Sequence, residues 1–266
     1  MTSPAAFPTS PDERNAIGVL GGLGPYAGLD LVRAIFDETV ASTDQEHLPV
    51  ALISYPGRFP DRSAWIANPE ENPSPVPAMV EVLRRLDLAG CSVVGIPCNT
   101  AHAPALFDQL IEAMTIEGRR LRILHIVDAI VSAIKYRVPN VKTVGVLATT
   151  SSIENRLHEV GLEREGYKAV APSRDVQELV QASIFDTDWG LKAKSAPPTE
   201  KARSVLLEAI RHLADKGADA VILGCTELPL AVPEMQYEGT PLINSTRALA
   251  RALISATHPE KLAPFA

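Results

Sequence analysis

The sequence predicts an α/β fold of two pseudo-symmetric, doubly wound parallel-sheet domains facing each other across a cleft. Three observations carry that expectation. Apolar runs of strand length alternate with stretches of helical periodicity along the chain. The run Ala16-Ile17-Gly18-Val19-Leu20 returns as Thr143-Val144-Gly145-Val146-Leu147, which puts Gly18 and Gly145 127 residues apart. Cys98 and Cys225 repeat that offset, and the same register lays Glu81, Arg84, Leu86, Gly90 and Val94 on Glu208, Arg211, Leu213, Gly217 and Val221. Six of the eighteen positions in 81–98 match their counterparts, as a duplicated unit requires.

Each half reads as strand and helix in turn. A strand over 16–21 leads through a glycine-rich turn into a helix opened by Pro25, where a missing N–H does no harm. Leu29, Val32, Ile35 and Phe36 share one face at helical spacing and are expected to meet the core. A strand over 49–55 follows, then a proline-rich loop over 56–77, a helix over 77–89 and a strand over 92–97 ending at Cys98. A second helix runs to about 114. The other half repeats the series: strand 142–148, helix 152–160, strand 167–171, helix 174–183, loop 184–198, helix 199–216, and strand 219–223 just before Cys225. Short strands over 121–127 and 241–244 each lead into a further helix. If these strands cross over, the last pairs with the first domain, and the domains comprise 15–121 plus 241–266 and 122–240.

Composition narrows the function. With 266 residues the chain buries a large core, and a net charge of −7 without any Lys/Arg run gives no nucleic-acid footprint. No stretch approaches the roughly 18 apolar residues of a membrane span. The first fifteen residues hold three prolines and no apolar core, so they read as a disordered lead-in rather than a signal peptide. Three cysteines, none in a CxxC pair, argue against a disulfide framework or a zinc site, and suit a cytoplasmic enzyme with reduced thiols. Cys91, inside AGCSVVG, reads as a small core hydrophobe.

The other two thiols carry the chemistry. Ligands of open α/β sheets bind beyond the carboxyl ends of the strands, which is where IPCNTAHAP and LGCTELPL put Cys98 and Cys225. Free N–H groups at a following helix stabilise a thiolate, drawing its pKa from about 8.5 toward neutrality. They also form a cradle for a carboxylate. Two such thiols facing across a cleft meet the requirement for inverting a carbon. One removes a proton from one face while the other delivers a proton to the opposite face, and the reverse reaction exchanges the roles. Asn99 and Thr226, next in sequence, either bind an α-carboxylate or cap their helices. His102 is either a packing residue or a proton relay. Gly22 and Gly24 let the backbone approach a ligand or simply shape a tight turn.

PCNTAH, GCTE, the VLGGLGP turn, DQEH at 44–47 and PDRSAW at 60–65 together resemble the aspartate/glutamate racemase family, in particular its aspartate-racemase branch. The resemblance runs from about Ile17 to Ile254. It implies a two-domain fold with the active site at the interface, a homodimer, no pyridoxal cofactor, and Cys98 and Cys225 as the acid/base pair. It further implies that Arg62 and Lys192 engage the side-chain carboxylate of an acidic amino acid, with Thr100 and Glu227 also in the substrate site. Under the repeat, position 62 maps to 189, three residues from Lys192, so each half supplies one cation from a corresponding loop. The related glutamate racemases carry an acidic residue in the first turn and His after the second Cys-Thr; here the turn is GGLGP and the residue is Glu227. Two departures, Ile184-Phe185 for the family's Ile-Tyr and Asn244 where Asp is frequent, bear on side-chain specificity.

The residues also bear on other functional classes. Gly22-Leu23-Gly24-Pro25-Tyr26-Ala27 matches the loose dinucleotide fingerprint, with Asp44 about twenty residues on. However, Asp44 precedes the second strand instead of ending it, and Pro25 removes an N–H that a pyrophosphate needs, which tells against an NAD-dependent dehydrogenase. A broad-specificity racemase remains open. Decarboxylases of the same superfamily keep one cysteine of the pair, whereas both are present here. A non-catalytic amino-acid-binding protein leaves two thiols at the ligand site without a role.

Overall fold

The computed structural model describes residues 15–265, so the expected lead-in lies outside the described residues except at Asn15. β1 (Ala16–Gly21) is buried along its length, as a strand apolar on both faces must be inside a parallel sheet. It pairs in parallel with β2 (Val50–Ser54) on one side and β3 (Cys91–Gly95) on the other, and β4 (Arg122–Ile123) extends the sheet beyond β3. The order is β2-β1-β3-β4. The second sheet is built from β5 (Thr143–Leu147), β6 (Lys168–Val170), β7 (Ala220–Leu223), β8 (Gln236–Tyr237) and β9 (Thr240–Asn244). Its order is β6-β5-β7-β9-β8, with β8 antiparallel at the edge.

The duplication persists at the level of hydrogen-bond register. Gly18 stands opposite Val94 and Gly145 opposite Val221, so the offset of 127 between the halves holds across both central strand pairs. Apart from the antiparallel edge strand β8, the two sheets are parallel, doubly wound and built in the same order, as expected. The helices that precede β3 and β7 end alike: α3 (Val76–Leu88) on Gly90 at φ 82° and α9 (Glu200–Asp215) on Gly217 at φ 87°. Both are left-handed positions that glycine occupies without steric cost.

Several local expectations needed revision. α1 (Pro25–Asp37) opens at Pro25, yet its buried face is Ala27, Gly28, Leu31 and Ile35; Leu29 is 56% exposed and Phe36 lies edge-on against His47. The apolar positions permit two overlapping stripes, and the sheet selected the one with small residues, where Gly28 comes against Gly21. The 56–77 segment is not all loop. It contains α2 (Arg62–Ala67), whose first turn is capped by Asp61 accepting from the Ala64 N–H at 2.8 Å. The helix expected over 152–160 divides into α6 (Thr150–Glu154) and α7 (Leu157–Arg164), because Arg156 takes φ 51°.

The chain passes between lobes at helices rather than strands. β4 stays in the first sheet, and the following α5 (Ile126–Arg137) packs against α7 and β9. β9 stays in the second sheet against β7, contrary to the crossover considered for the 241–244 strand. α11 (Ser245–Thr257) then returns to α1, β1 and β3. β4 thus belongs to the first sheet and β9 to the second. The physical reason is a fit: Leu249 and Leu253 of α11 fill the space left by the missing side chain of Gly95 in β3. α5 and α11 lie against each other, and their apolar faces merge with residues of both sheets into one shared core.

A buried ion cluster fastens this return. Glu38, 3% exposed after the end of α1, pairs with Arg247 and Arg251 of α11. Glu38→Ala is expected to lower stability by about 3–5 kcal/mol, because Arg251, 7% exposed, would lose its carboxylate inside the protein. A urea titration monitored by circular dichroism checks this: the midpoint should fall with little change in slope. Among the described residues no helix is long and apolar enough to cross a membrane, and no group of three His, Cys, Asp or Glu side chains is placed to hold a metal ion.

Candidate active site

Both cysteine turns leave the carboxyl ends of equivalent strands, β3 and β7, at the point where each sheet's strand order reverses. They meet in the cleft. A single cavity of about 20 Å³ is lined by Cys98, Asn99 and Thr100 from the first turn and by Cys225, Thr226 and Glu227 from the second. Arg62 and Lys192 reach the same cavity from the corresponding loops. Nine of the residues singled out in the sequence, Phe185 among them, thus come together. Gly22 and Gly24 do not line the cavity. Gly22, at φ 93°, lies so close to Tyr55 that a Cβ would come 2.8 Å from its backbone nitrogen. Gly24 admits the Glu227 carboxylate, which an added Cβ would meet at 2.5 Å.

The helices next to the thiols are shorter than the sequence suggested. Cys98 is followed by one 3-10 turn, Asn99–His102, before α4 (Pro104–Ile116), and Cys225 by α10 (Leu228–Ala231), a single turn. Side chains, more than helix termini, therefore set the electrostatics. Cys225 donates to Glu227 Oε2 at 2.9 Å, and Glu227 Oε1 pairs with Lys192 Nζ at 3.2 Å. Burial, reinforced by the Glu227 charge, pushes the Cys225 thiol well above its ordinary value. That reverses the expectation of a lowered pKa for this thiol. Burial disfavours the Glu227 charge too, but Lys192 and the Cys225 hydrogen bond outweigh it and hold the carboxyl below its usual range. Lys192 in turn stays charged against burial because Glu227 faces it, and its ammonium lies 5.3 Å from the centre of the Phe185 ring.

The other thiol has a cation for a neighbour. Arg62, 8% exposed, donates to the Leu23 carbonyl at 2.6 Å and the Pro60 carbonyl at 3.2 Å, which fixes its guanidinium at the cavity wall. Burial opposes its charge, yet the adjacent Cys98 sulfur, Asp61 and Glu227 raise its pKa above the ordinary value. One thiol is therefore held protonated beside a carboxylate, while its counterpart sits beside a fixed cation.

Asn99 and Thr226 make different contacts. Thr226 Oγ1 donates to the Pro97 carbonyl at 2.9 Å and so ties the second cysteine turn to the first. The Asn99 amide accepts from His158 Nε2 at 2.9 Å and donates to Ser245 Oγ at 3.3 Å. Neither side chain caps its turn. His102 is a packing residue: its Nδ1 is 3.0 Å from the Cys98 carbonyl, its ring stacks on Phe107, and burial lowers its pKa to about 3, so it stays neutral.

Asp61, Ser63, Thr149 and Gly224 complete the lining and were not singled out in the sequence. Thr149 was within reach of the repeat, since the offset of 127 from Gly22 leads to it. It hydrogen-bonds Ser152 at 3.0 Å, and Ser152 meets Thr100 at 3.3 Å, which adds a polar contact between the lobes.

The family profile described as Asp/Glu/Hydantoin racemase matches residues 20–253. The chain is 24% identical over 243 residues to the broad specificity amino-acid racemase RacX of Bacillus subtilis, covering 90% of this chain and 96% of that one. It is 25% identical over 260 residues to a glutamate racemase of Phenylobacterium zucineum, covering 85% and 86%. Among solved structures, the aspartate racemase of Picrophilus torridus superposes with a TM-score of 0.77 at 27% identity, covering 94% of this chain and 96% of that one.

Proposed function

The chain belongs to the Asp/Glu/hydantoin racemase family and is an isomerase, and on that premise we propose that it interconverts the L and D forms of a small acidic amino acid, aspartate foremost, by a two-base reaction. One observation carries the reading: two thiols at equivalent positions of a duplicated fold line one cavity and stand in opposite electrostatic settings. In one direction the Cys98 thiolate, beside Arg62, removes the α-proton. The Cys225 thiol, hydrogen-bonded to Glu227, delivers a proton to the other face of the planar carbanion. The reverse reaction starts from the opposite ionisation. No pyridoxal cofactor enters this reading.

Charge supports an acidic substrate. Lys192 is balanced by Glu227, which leaves the Arg62 guanidinium to orient a carboxylate, with Lys192 as a second cation close by. The cavity of about 20 Å³ has room for a water and not for an amino acid, so the lobes must part to admit substrate. The segments joining β4 to α5 and β9 to α11 are the two connections about which they swing. The same proposal includes a cytoplasmic location and a homodimer; Tyr26, Leu29 and Phe36, exposed on the outer side of α1, supply an apolar stripe for the contact between subunits.

Chiral chromatography of purified enzyme incubated with each common amino acid tests the reading. The expected result is formation of D-aspartate from L-aspartate and the reverse, with glutamate slower. Inversion of neutral amino acids without preference for aspartate sinks the acidic-substrate assignment, and absence of any inversion sinks the racemase reading for this chain.

A further inference from the structure

His158 lies outside the cavity lining and on α7, far from either cysteine in sequence, yet it touches both cysteine turns. Its Nε2 is 2.9 Å from Asn99 Oδ1, one residue beyond Cys98. Its ring also rests on Gly224, one residue before Cys225, so closely that a Cβ on Gly224 would lie 2.9 Å from both Cε1 and Nε2. The imidazole is 1% exposed, and Nδ1 has no hydrogen-bond partner among the described residues. A neutral ring with its proton on Nε2 fits that pattern, because Asn99 Oδ1 can only accept. Burial keeps it neutral by lowering its pKa to about 4.

We propose that His158 is a positioning residue: a rigid spacer between the two cysteine turns that sets the separation and alignment of Cys98 and Cys225. The inference rests on the two-thiol reading above and extends it to a residue that does not touch substrate. Its physical logic is that two proton-transfer groups on separate lobes need a common reference. Asn99 supplies one end, held additionally by Ser245 at the start of α11, where the chain returns to the first lobe. Gly224 supplies the other end, where an added Cβ would collide with the ring. A displacement of about 1 Å in such a pair costs roughly a hundredfold in rate.

The test compares His158→Leu, His158→Gln and Gly224→Ala with the wild type on L- and D-aspartate. His158→Leu fills the space without a donor and is expected to lower kcat roughly a hundredfold with a much smaller change in KM. His158→Gln, which keeps an N–H for Asn99, should restore most of the rate. In deuterated water the His158→Leu enzyme should also place more deuterium in recovered substrate per inversion event. A carbanion whose far-side acid is out of line persists until the proton on the near-side sulfur has exchanged with solvent, and is then reprotonated by deuterium on the side that lost its proton. Gly224→Ala, which leaves His158 in place but pushes against the ring, should give the same pattern and decides the matter if His158→Leu fails to fold. Unchanged kcat and an unchanged exchange-to-inversion ratio in the folded variants overturn the proposal. A readout without turnover separates it from the racemase reading: iodoacetamide should modify both cysteines faster in the variants, as counted by mass spectrometry. Equal modification rates overturn the spacer role even if the wild type inverts nothing.

Discussion

Cys98→Ala and Cys225→Ala are each expected to lower racemisation of aspartate by roughly 10²–10⁴-fold, the range that a positioned acid or base contributes. The two losses should not add, because inversion needs both groups in the same event. Serine is a poor substitute at either position, since its hydroxyl is a far weaker acid than a thiol near neutral pH. Isotope exchange gives the sharper measurement. With wild-type enzyme in deuterated water, inverted product should acquire deuterium from the start while recovered substrate stays protiated. Equal early labelling of both enantiomers points to a single base and rejects the paired arrangement. Either alanine variant should keep its fold, because each thiol is a small buried side chain at a turn and its removal opens little space.

Glu227→Gln has the second largest expected effect, and its sign follows from the charges around Cys225. In the native site burial and the Glu227 carboxylate together favour the protonated thiol, while Lys192 opposes them. Removing the negative charge leaves the Lys192 ammonium as the dominant neighbour, so the pKa of Cys225 should fall. Two measurements check this. The alkaline limb of the kcat/KM profile should move to lower pH for the direction in which Cys225 is the acid, because the protonated thiol is lost sooner. Alkylation of Cys225 at neutral pH should speed up as more thiolate is present. An alkaline limb that stays in place, with unaltered alkylation, rejects the assignment of Glu227 as the group that keeps Cys225 protonated. Lys192 should also become a worse-accommodated cation, since its buried partner no longer carries charge.

The asymmetry between the thiols has a kinetic meaning. A racemase with two identical bases favours neither enantiomer in its resting ionisation. Here the surroundings differ: the Arg62 guanidinium stands beside Cys98, while Cys225 donates to Glu227 and is raised by burial and by that carboxylate. Under the proposed two-base reaction, the two directions of turnover are therefore expected to show different pH profiles.

What was legible in the sequence rested on local and repeating signals. Strand and helix periodicity, the 127-residue offset and the place of each cysteine after an apolar run were enough for the doubled parallel fold and for the two thiols at corresponding strand ends, because these features depend on residues close together or on exact repetition. Arg62, Lys192 and Glu227 were marked by resemblance and do line the cavity beside the thiols. Contacts between elements decided the rest. The buried face of α1 depended on how Gly28 meets Gly21, and the crossing at α11 instead of β9 depended on the notch at Gly95. The raised pKa of Cys225 arises from a carboxylate two residues away and an ammonium thirty-five residues from that carboxylate, a balance no periodicity encodes. His158 left no mark in the sequence at all, because its partners Asn99 and Gly224 belong to different lobes and approach it only when the two sheets close on the shared helical core. Residue order thus determined which groups the protein has and on which strand ends they sit; packing across the cleft determined their protonation and their spacing, since both depend on distances that exist only after the lobes come together.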